Sequence, residues 1–457
     1  MASTIKVDKL DPQSGTALEI GTSGDTVTVP SGVGLTLTDS TLLLPTTITS
    51  TTEVKTNKIS PATGAAFALG DSGDTFTVPS GATIVNSGTA TGFGITAASF
   101  RPNAKGLIIN GDCAVAQRGT SFATMGNGDS QYTLDRFQWS EEGGFGVAEL
   151  TITQDTDVPT GQGFAKSLKA VCTTIDTSID SNTISYITQK FEGQDLQLIK
   201  KGTANAEKLT LSFWAKSNLT GTFTIAFKDT DNSRLYSTSY SPASADTWEK
   251  FIVSIPADTT GAFTDDNATS LAVDWNLQAG TDKSDGALTA AWEAQAEGDR
   301  AVGQTNFFSS TSNDFYITGI QLEVGEYTSA TLPPFQHESY GDNLARCQRY
   351  FYQCCNGNDQ EITGGWYFST SMILGILELP VPMRSNPTLA VGGTTDQFII
   401  WRDGGSDNFT ALTRDKSSNF NTRVSIYNNN QVSGTAGQAG CVRSAHADAS
   451  LTFDAEL

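Results

Sequence analysis

Residues 5–32, IKVDKLDPQSGTALEIGTSGDTVTVPSG, are written again as residues 54–81, VKTNKISPATGAAFALGDSGDTFTVPSG, at an offset of 49 with 15 of 28 positions identical. A repeat is a supersecondary unit that cannot bury its apolar face alone. Here the unit reads as two alternating strands, Leu18/Ile20 with Val27/Val29 and then Phe67/Leu69 with Phe76/Val78, around the turns Ser23-Gly24-Asp25 and Ser72-Gly73-Asp74. An isolated hairpin is marginal in water, and about three strands sharing an apolar face are needed for stability. The Thr-rich spacer, residues 33–53, offers only Leu42-Leu43-Leu44 before Pro45, so the partners are expected on other chains. Three strands or hairpins meeting on one axis give a thin homotrimeric shaft.

At 457 residues the chain has room for two to four domains. Only 17% of it is charged and 38% is hydrophobic, with 44 glycines, a texture of small all-β domains rich in turns. A net charge of −21 argues against nucleic acid or anionic lipid as partner, because binding there needs clustered Lys and Arg. No run reaches the ~18 apolar residues of a membrane span, so no membrane insertion is expected. MASTIKVDKL lacks an apolar signal core, which leads to an expectation of synthesis in a reducing place. The six cysteines, Cys354-Cys355 included, are accordingly expected as free structural thiols. With only His337 and His446 there is almost no material for a Cys/His zinc site, and no metal or other cofactor is expected.

The repeats give way at TGFGITAASFRPN to alternating apolar segments separated by turn chemistry. Strands are expected near 147–152, 184–187, 209–214, 223–227, 251–255 and 315–322, the signature of an antiparallel sandwich or jelly roll. GALTAAWEAQAEGDRAV, residues 286–302, reads as a long loop with a helical turn. YGDNLARCQRYFYQ, residues 340–353, reads as a helix capped by Asp342 or Asn343, with Leu344, Cys347, Tyr350 and Phe351 on one face. The last hundred residues form another β domain in which Pro380, Pro382 and Pro387 confine their segment to a sheet edge or a kink.

Catalytic motifs are lacking: no GxSxG elbow, no GxxxxGK[ST] loop and no HExxH. Asp229-Thr230-Asp231-Asn232-Ser233 starts like a calcium loop, but Arg234 stands where Gly is wanted and Tyr240 where a bidentate Glu is wanted, so a hairpin turn explains it better. A polysaccharide-cleaving pair of carboxylates could be drawn from Asp265, Asp266, Asp274 and Glu293 around Trp275 and Trp292, although no spacing selects a pair. Trp366-Tyr367 after two glycines, and Trp401-Arg402-Asp403 before two more, combine flat apolar rings with polar groups beside a flexible loop. With Trp275 and Trp292 they are the candidate glycan or receptor contacts.

The opening MASTIKVDKL with GTSGDTVTVPSG and GDSGDTFTVPSG resembles the N-terminal repeats of tail-fibre and other virion fibre proteins of tailed phages, notably those of marine bacteria and cyanobacteria. LIINGDCAVAQRGTSF, YTLDRFQW, KLTLSFWAKSN and FYITGIQLEVGEYTSATLPPFQHESYGDNLARCQRYFYQ are similar to a domain of such fibres, and LPVPMRSNPTLAV resembles the strand entry that comes after its helix. The resemblance implies a homotrimer in the virion tail: a virion-attachment and shaft region over 1–92, a linker over 93–106, a carbohydrate-binding-module-like sandwich over 107–339, a connecting helix over 340–353 and a receptor-binding tip over 354–457. Its partners would be tail adaptor, nozzle or baseplate proteins at one end and a host glycan or outer-membrane protein at the other. A fibre-borne depolymerase and a purely structural adaptor or head fibre are the rival readings. Gln321, Leu322 and Glu323 would be structural, and Cys347, Gln348, Arg349 and Tyr350 would be packing residues of the helix. Cys113 stands where a larger apolar residue is expected.

Overall fold

A computed structural model describes residues 105–457, apart from 127, 129, 145 and 416–420, together with residues 26 and 28. The two repeats, their hairpins and the shaft lie outside the described residues. The chain divides into two units, Met1–Gly88 and Thr89–Leu457.

That unit is all-β. The first part holds β1 (Ser121–Met125), β2 (Gln131–Tyr132), β3 (Gln138–Glu142), β4 (Glu149–Asp155), β5 (Ser167–Thr174), β6 (Ile184–Glu192), β7 (Leu209–Ser217), β8 (Phe223–Asp229), β9 (Arg234–Tyr240), β10 (Glu249–Ile255), β11 (Thr269–Ala279), β12 (Glu293–Ala294) and β13 (Asp314–Val324). They form a six-stranded sheet, β1-β4-β5-β13-β7-β10, facing a seven-stranded sheet, β12-β9-β8-β11-β6-β3-β2, with every pair antiparallel. Period-two alternation sends Leu211, Phe213, Val273, Trp275, Phe315 and Ile317 into one core between the sheets. All six expected strands are present. β11, at the centre of its sheet, escapes the alternation rule because its outward Asp274 and Asn276 are also buried, beneath residues of the 281–306 segment such as Arg300. The 286–302 segment is a loop carrying β12 and a single 3-10 turn at Glu297–Asp299.

The helix α1 runs Tyr340–Gln348, shorter than expected, and its cap is Ser339 rather than Asp342 or Asn343. Ser339 Oγ accepts from Asp342 N at 3.2 Å and donates to the Asp342 carboxylate at 2.6 Å. The chain then turns into β14 (Phe351–Asn356), followed by β15 (Glu361–Ser369), β16 (Met372–Glu378), β17 (Thr388–Gly392), β18 (Phe398–Arg402), β19 (Gly405–Phe409), β20 (Thr413–Arg414), β21 (Arg423–Asn429), β22 (Ala439–Ser444) and β23 (Ser450–Asp454). These make a three-stranded sheet, β14-β23-β17, and a seven-stranded sheet, β19-β18-β22-β15-β16-β21-β20, around a second core that includes Tyr367, Ile373, Phe398, Ile400, Val442 and Phe453. The three prolines lie between β16 and β17, and β17 is an edge strand.

The two cores are joined by a polar clamp. Arg136 of the sandwich is 1% exposed, lies 3.5 Å from the centroid of the Tyr350 ring, donates to Lys190 O at 2.6 Å and pairs with Glu456. Glu192, also of the sandwich, accepts both arms of Arg349 at 2.7 and 2.6 Å and the Tyr350 hydroxyl at 2.6 Å. Arg118 covers the Phe351 ring at 3.6 Å and reaches Glu456 at 3.2 Å. Arg384 closes the far side, donating to Ala455 O, Glu456 O and, across the junction, Asn267 O, each at 2.7 Å. Arg349 and Tyr350 therefore do more than pack: they carry ion-pair and hydrogen-bond contacts between domains.

The calcium-loop-like segment is the β8–β9 hairpin, with Asp229 opposite Arg234. Its carboxylate holds a lysine. The Lys201 ammonium, 3% exposed in its side chain, lies 2.5 Å from Asp229 Oδ2, 3.0 Å from Asp258 Oδ2, 2.9 Å from Thr260 O and 2.8 Å from Gly261 O. Removing one member of a buried pair strands the other charge, at a cost of about 3–5 kcal/mol. Lys201→Ala is therefore expected to lower the unfolding free energy by roughly that amount in urea titrations, whereas Lys200→Ala, one residue away and paired at the exposed Glu207, should change it by less than about 1 kcal/mol.

Candidate functional site

Strand alternation sorts the sequence-predicted contacts onto opposite faces of the C-terminal seven-stranded sheet. On β15, Tyr367 points into the core while Gly364, Trp366 and Phe368 point out; on β18, Ile400 and Arg402 point in while Ile399 and Trp401 point out. Register places Trp401 beside Cys441, and Cys441 beside Gly364. The next row runs Ala439, Trp366, Leu374, Tyr427. Trp401 and Trp366 thus stand on β18 and β15, two strand spacings (about 9–10 Å) apart across the sheet and two residues (about 7 Å) apart along it. Between them β22 offers only Ala439 and Cys441, and Gly364, with open space where a Cβ would project, extends the gap.

The result is a shallow trough with indole walls and a floor of small side chains. Trp401 is 57% exposed and Ile376 43%, and Phe368, at a register shift near the end of β15, is 66% exposed. The Arg443 guanidinium lies 4.5 Å from the centroid of the Trp401 ring, steadying the indole from one side. Asp403 and Gly404 form the turn into β19, at the trough's rim. A flat apolar ring next to carbonyls and carboxylates suits the mixed C–H and hydroxyl surface of a pyranose.

Four of the seven predicted contact residues are placed elsewhere, and each is a correction. Tyr367 is fully buried, its hydroxyl bonded to Asp407 at 2.5 Å, and burial together with that carboxylate pushes its pKa up. Arg402 lies against the Tyr367 ring and donates to Gln438 Oε1 at 3.1 Å and Ser433 O at 2.9 Å, so it closes the end of the core. Trp275 is 1% exposed within the sandwich, edge-on to Phe213. Trp292 is buried against Tyr236 with its indole N–H donated to Pro256 O at 2.9 Å. The rings were legible by type, but core and surface aromatics share one composition. What sequence reasoning missed is Phe368, Leu374, Ile376 and Tyr427, which only the register across β15, β16 and β21 brings to the same face.

The carboxylates considered for hydrolysis are not brought together. Asp274 on β11 and Glu293 on β12 are three strands apart, about 14 Å, beyond the ~10 Å of an acid–base pair. Asp274 is buried, accepting from Thr188 Oγ1 at 2.6 Å and facing Lys228 at 2.8 Å, while Asp265 and Asp266 lie in an exposed loop. Nearby Glu142 is held by basic partners: burial would raise it, but the two-pronged Arg300 contact at 2.7 and 2.9 Å and the Tyr186 hydroxyl hold it down at about 2. Among the described residues no cluster of three or more metal-ligating side chains occurs, and no helix is long and apolar enough to cross a membrane. All six cysteines are free thiols, and burial pushes Cys355 up to about 11.

No family model matches the chain, and no curated protein matches it. Among solved structures, the enzymatically active domain of tailspike protein 4 from bacteriophage CBA120 is similar at 14% identity and a TM-score of 0.24, covering 41% of this chain and 19% of that one. The family 11 carbohydrate-binding module of a Clostridium thermocellum cellulosomal cellulase is similar at 11% identity and 0.23, covering 45% and 96%. A xylan-binding CBM22-2 domain from Paenibacillus barcinonensis is similar at 16% and 0.20, covering 41% and 91%. At TM-scores this low the likenesses carry no functional argument.

Trp401→Ala should change the unfolding free energy by less than about 0.5 kcal/mol, as an exposed site does, whereas Tyr367→Ala should cost about 3–5 kcal/mol, as a buried aromatic does; urea titration of the two variants checks the assignment of faces. A second test uses acid. Glu142 and Glu297 are both held at about 2 against an ordinary 4.5, so between those values the folded state binds fewer protons than the unfolded one. Their stabilisation is present above pH 4.5 and is lost as the pH falls toward 2, and Glu142→Gln should flatten the fall between urea midpoints at pH 5 and pH 3.

Proposed function

We propose that this chain is an adhesive component of a tailed-phage fibre, and that the outer face of its C-terminal seven-stranded sheet contacts a glycan on the host surface. The observation that carries this reading is the trough itself: two indoles on one sheet face, one of them 57% exposed, flanking a floor of Gly, Ala and Cys. Exposed aromatics cost solvation unless something covers them, and a narrow, open, mixed-polarity trough fits a saccharide chain better than a helix or a globular partner.

Support for the fibre context comes from the repeats at 5–32 and 54–81, from the all-β make-up and from the sequence resemblance to fibre proteins. In this reading the repeats trimerise as a shaft attached to the virion tail, and each chain offers one trough. Three shallow contacts per fibre, and several fibres per particle, add through effective concentration rather than through one deep pocket.

Printed glycan arrays probed with the labelled full chain test the reading. Wild type should bind a defined subset of saccharides; Trp401→Ala and Trp366→Ala should each lower the signal about tenfold, the loss of one stacked ring. Gly364→Gln, which puts a side chain on the trough floor where a Cβ meets no atom within 4 Å, should do the same. Binding that survives all three substitutions, or a wild type that binds nothing, contradicts the proposal. Light scattering should give a trimer for the same preparation.

A further inference from the structure

The trough on the C-terminal sheet has a direction and two unlike ends. Its walls, Trp401 on β18 and Trp366 on β15, stand on either side of β22, so its long axis follows β22. Along that axis alternation presents Gly437, Ala439, Cys441 and then Arg443 on the outer face. From Gly437 to Cys441, about 13 Å at the rise of a strand, no side chain longer than that of cysteine stands on the floor. The Gly437 end is open: a Cβ there would meet no atom within 4 Å. A broad hollow lined by Trp401, Asp403, Gly404, Gly405, Ala439 and Gly440 widens the trough on that side.

The other end is barred. The Arg443 guanidinium lies 4.5 Å from the centroid of the Trp401 ring, and its Nη2 is 3.8 Å from Oδ1 of Asp359, which stands just ahead of β15. It therefore reaches from one wall strand toward the other. Register sets Ile399 of β18 and Glu361 of β15 in the same row, one on each side of Arg443. Three long side chains thus stand across the sheet where the preceding row has only Cys441 and Gly364 beside Trp401. Asp359 and Glu361 against Arg443 leave this end with no positive excess.

We propose, resting on the reading of the trough as a glycan contact, that it recognises a chain end: the neutral, non-reducing terminal sugar of a host glycan sits against Arg443 and Glu361. A glycan lying through the trough in both directions would have to pass these side chains, whereas a terminal ring stops at them. Its flat faces meet the indoles, and its hydroxyls, which both give and take hydrogen bonds, meet guanidinium donors and a carboxylate acceptor side by side. The following sugars leave over Ala439 and Gly437 through the open end. Glycans displayed on a cell are tethered through their reducing end, so the end free to enter is the non-reducing one. A terminal sugar acid would set its carboxylate against Glu361 and Asp359 and bind more weakly than its neutral counterpart.

Arrays probed with the labelled full chain test this when each bound saccharide is printed in further forms, one capped by an extra sugar on its non-reducing end and one lengthened on the tethered side. Capping should weaken wild-type binding about tenfold or more, and lengthening should change it by less than about twofold. Arg443→Ala/Glu361→Ala removes the bar, and this variant should bind the capped form within about threefold of the uncapped one. Wild type that binds capped and uncapped forms equally overturns the chain-end inference and leaves the glycan reading standing. A double variant that still rejects the capped form, at the wild-type melting temperature, overturns it as well. Wild type that binds no saccharide removes both readings.

Discussion

The guanidinium of Arg136 is the contact on which the described structure turns. It is buried, stacked on Tyr350 and paired with Glu456, so one sandwich side chain touches both the segment that leaves the sandwich and the strand end that returns to it. A buried ion pair is weak evidence for stability, since desolvation offsets most of the attraction. Its use here is geometric. Guanidinium planes stack on rings and fork onto carboxylates, and four of them, Arg118, Arg136, Arg349 and Arg384, fix the angle between two β cores that share few apolar contacts.

That clamp also accounts for the long motifs. LIINGDCAVAQRG supplies Arg118, YTLDRFQW supplies Arg136, NLARCQRYFYQ supplies Arg349 and Tyr350, and LPVPMRSN supplies Arg384. Segments scattered over more than 250 residues converge on one junction, while Cys113, the smaller side chain noted in the first motif, is fully buried in the sandwich core. The proposed glycan-contact surface lies elsewhere, on a sheet face made by plain alternation.

Much of the fold was legible because period two is a local property: β7, β8, β10 and β13 announce themselves within a few residues. β11 did not, because its outward Asp274 and Asn276 are buried by a loop arriving from residues 281–306, a non-local fact. The helix was placed correctly but its end was not. Tyr350 and Phe351 continue the apolar stripe in sequence, yet Tyr350 is claimed by Arg136 and Glu192, and Phe351 by Arg118 and β23. The candidate site divided for the same reason. Trp401 and Trp366 face out and Tyr367, Arg402, Trp275 and Trp292 do not, a difference set by strand phase and by which face another element covers. Neither is written in an aromatic residue's immediate neighbours.

The central claim is that the clamp makes sandwich and C-terminal domain a single cooperative body that holds the trough in fixed relation to the sandwich. Hydrogen exchange across a denaturant series measures this most directly, by following amides of β7 in one core and β16 in the other. Both strands should lose protection at one denaturant concentration in the wild-type chain and at separate concentrations in Arg136→Ala. Separate losses in the wild type would contradict the account.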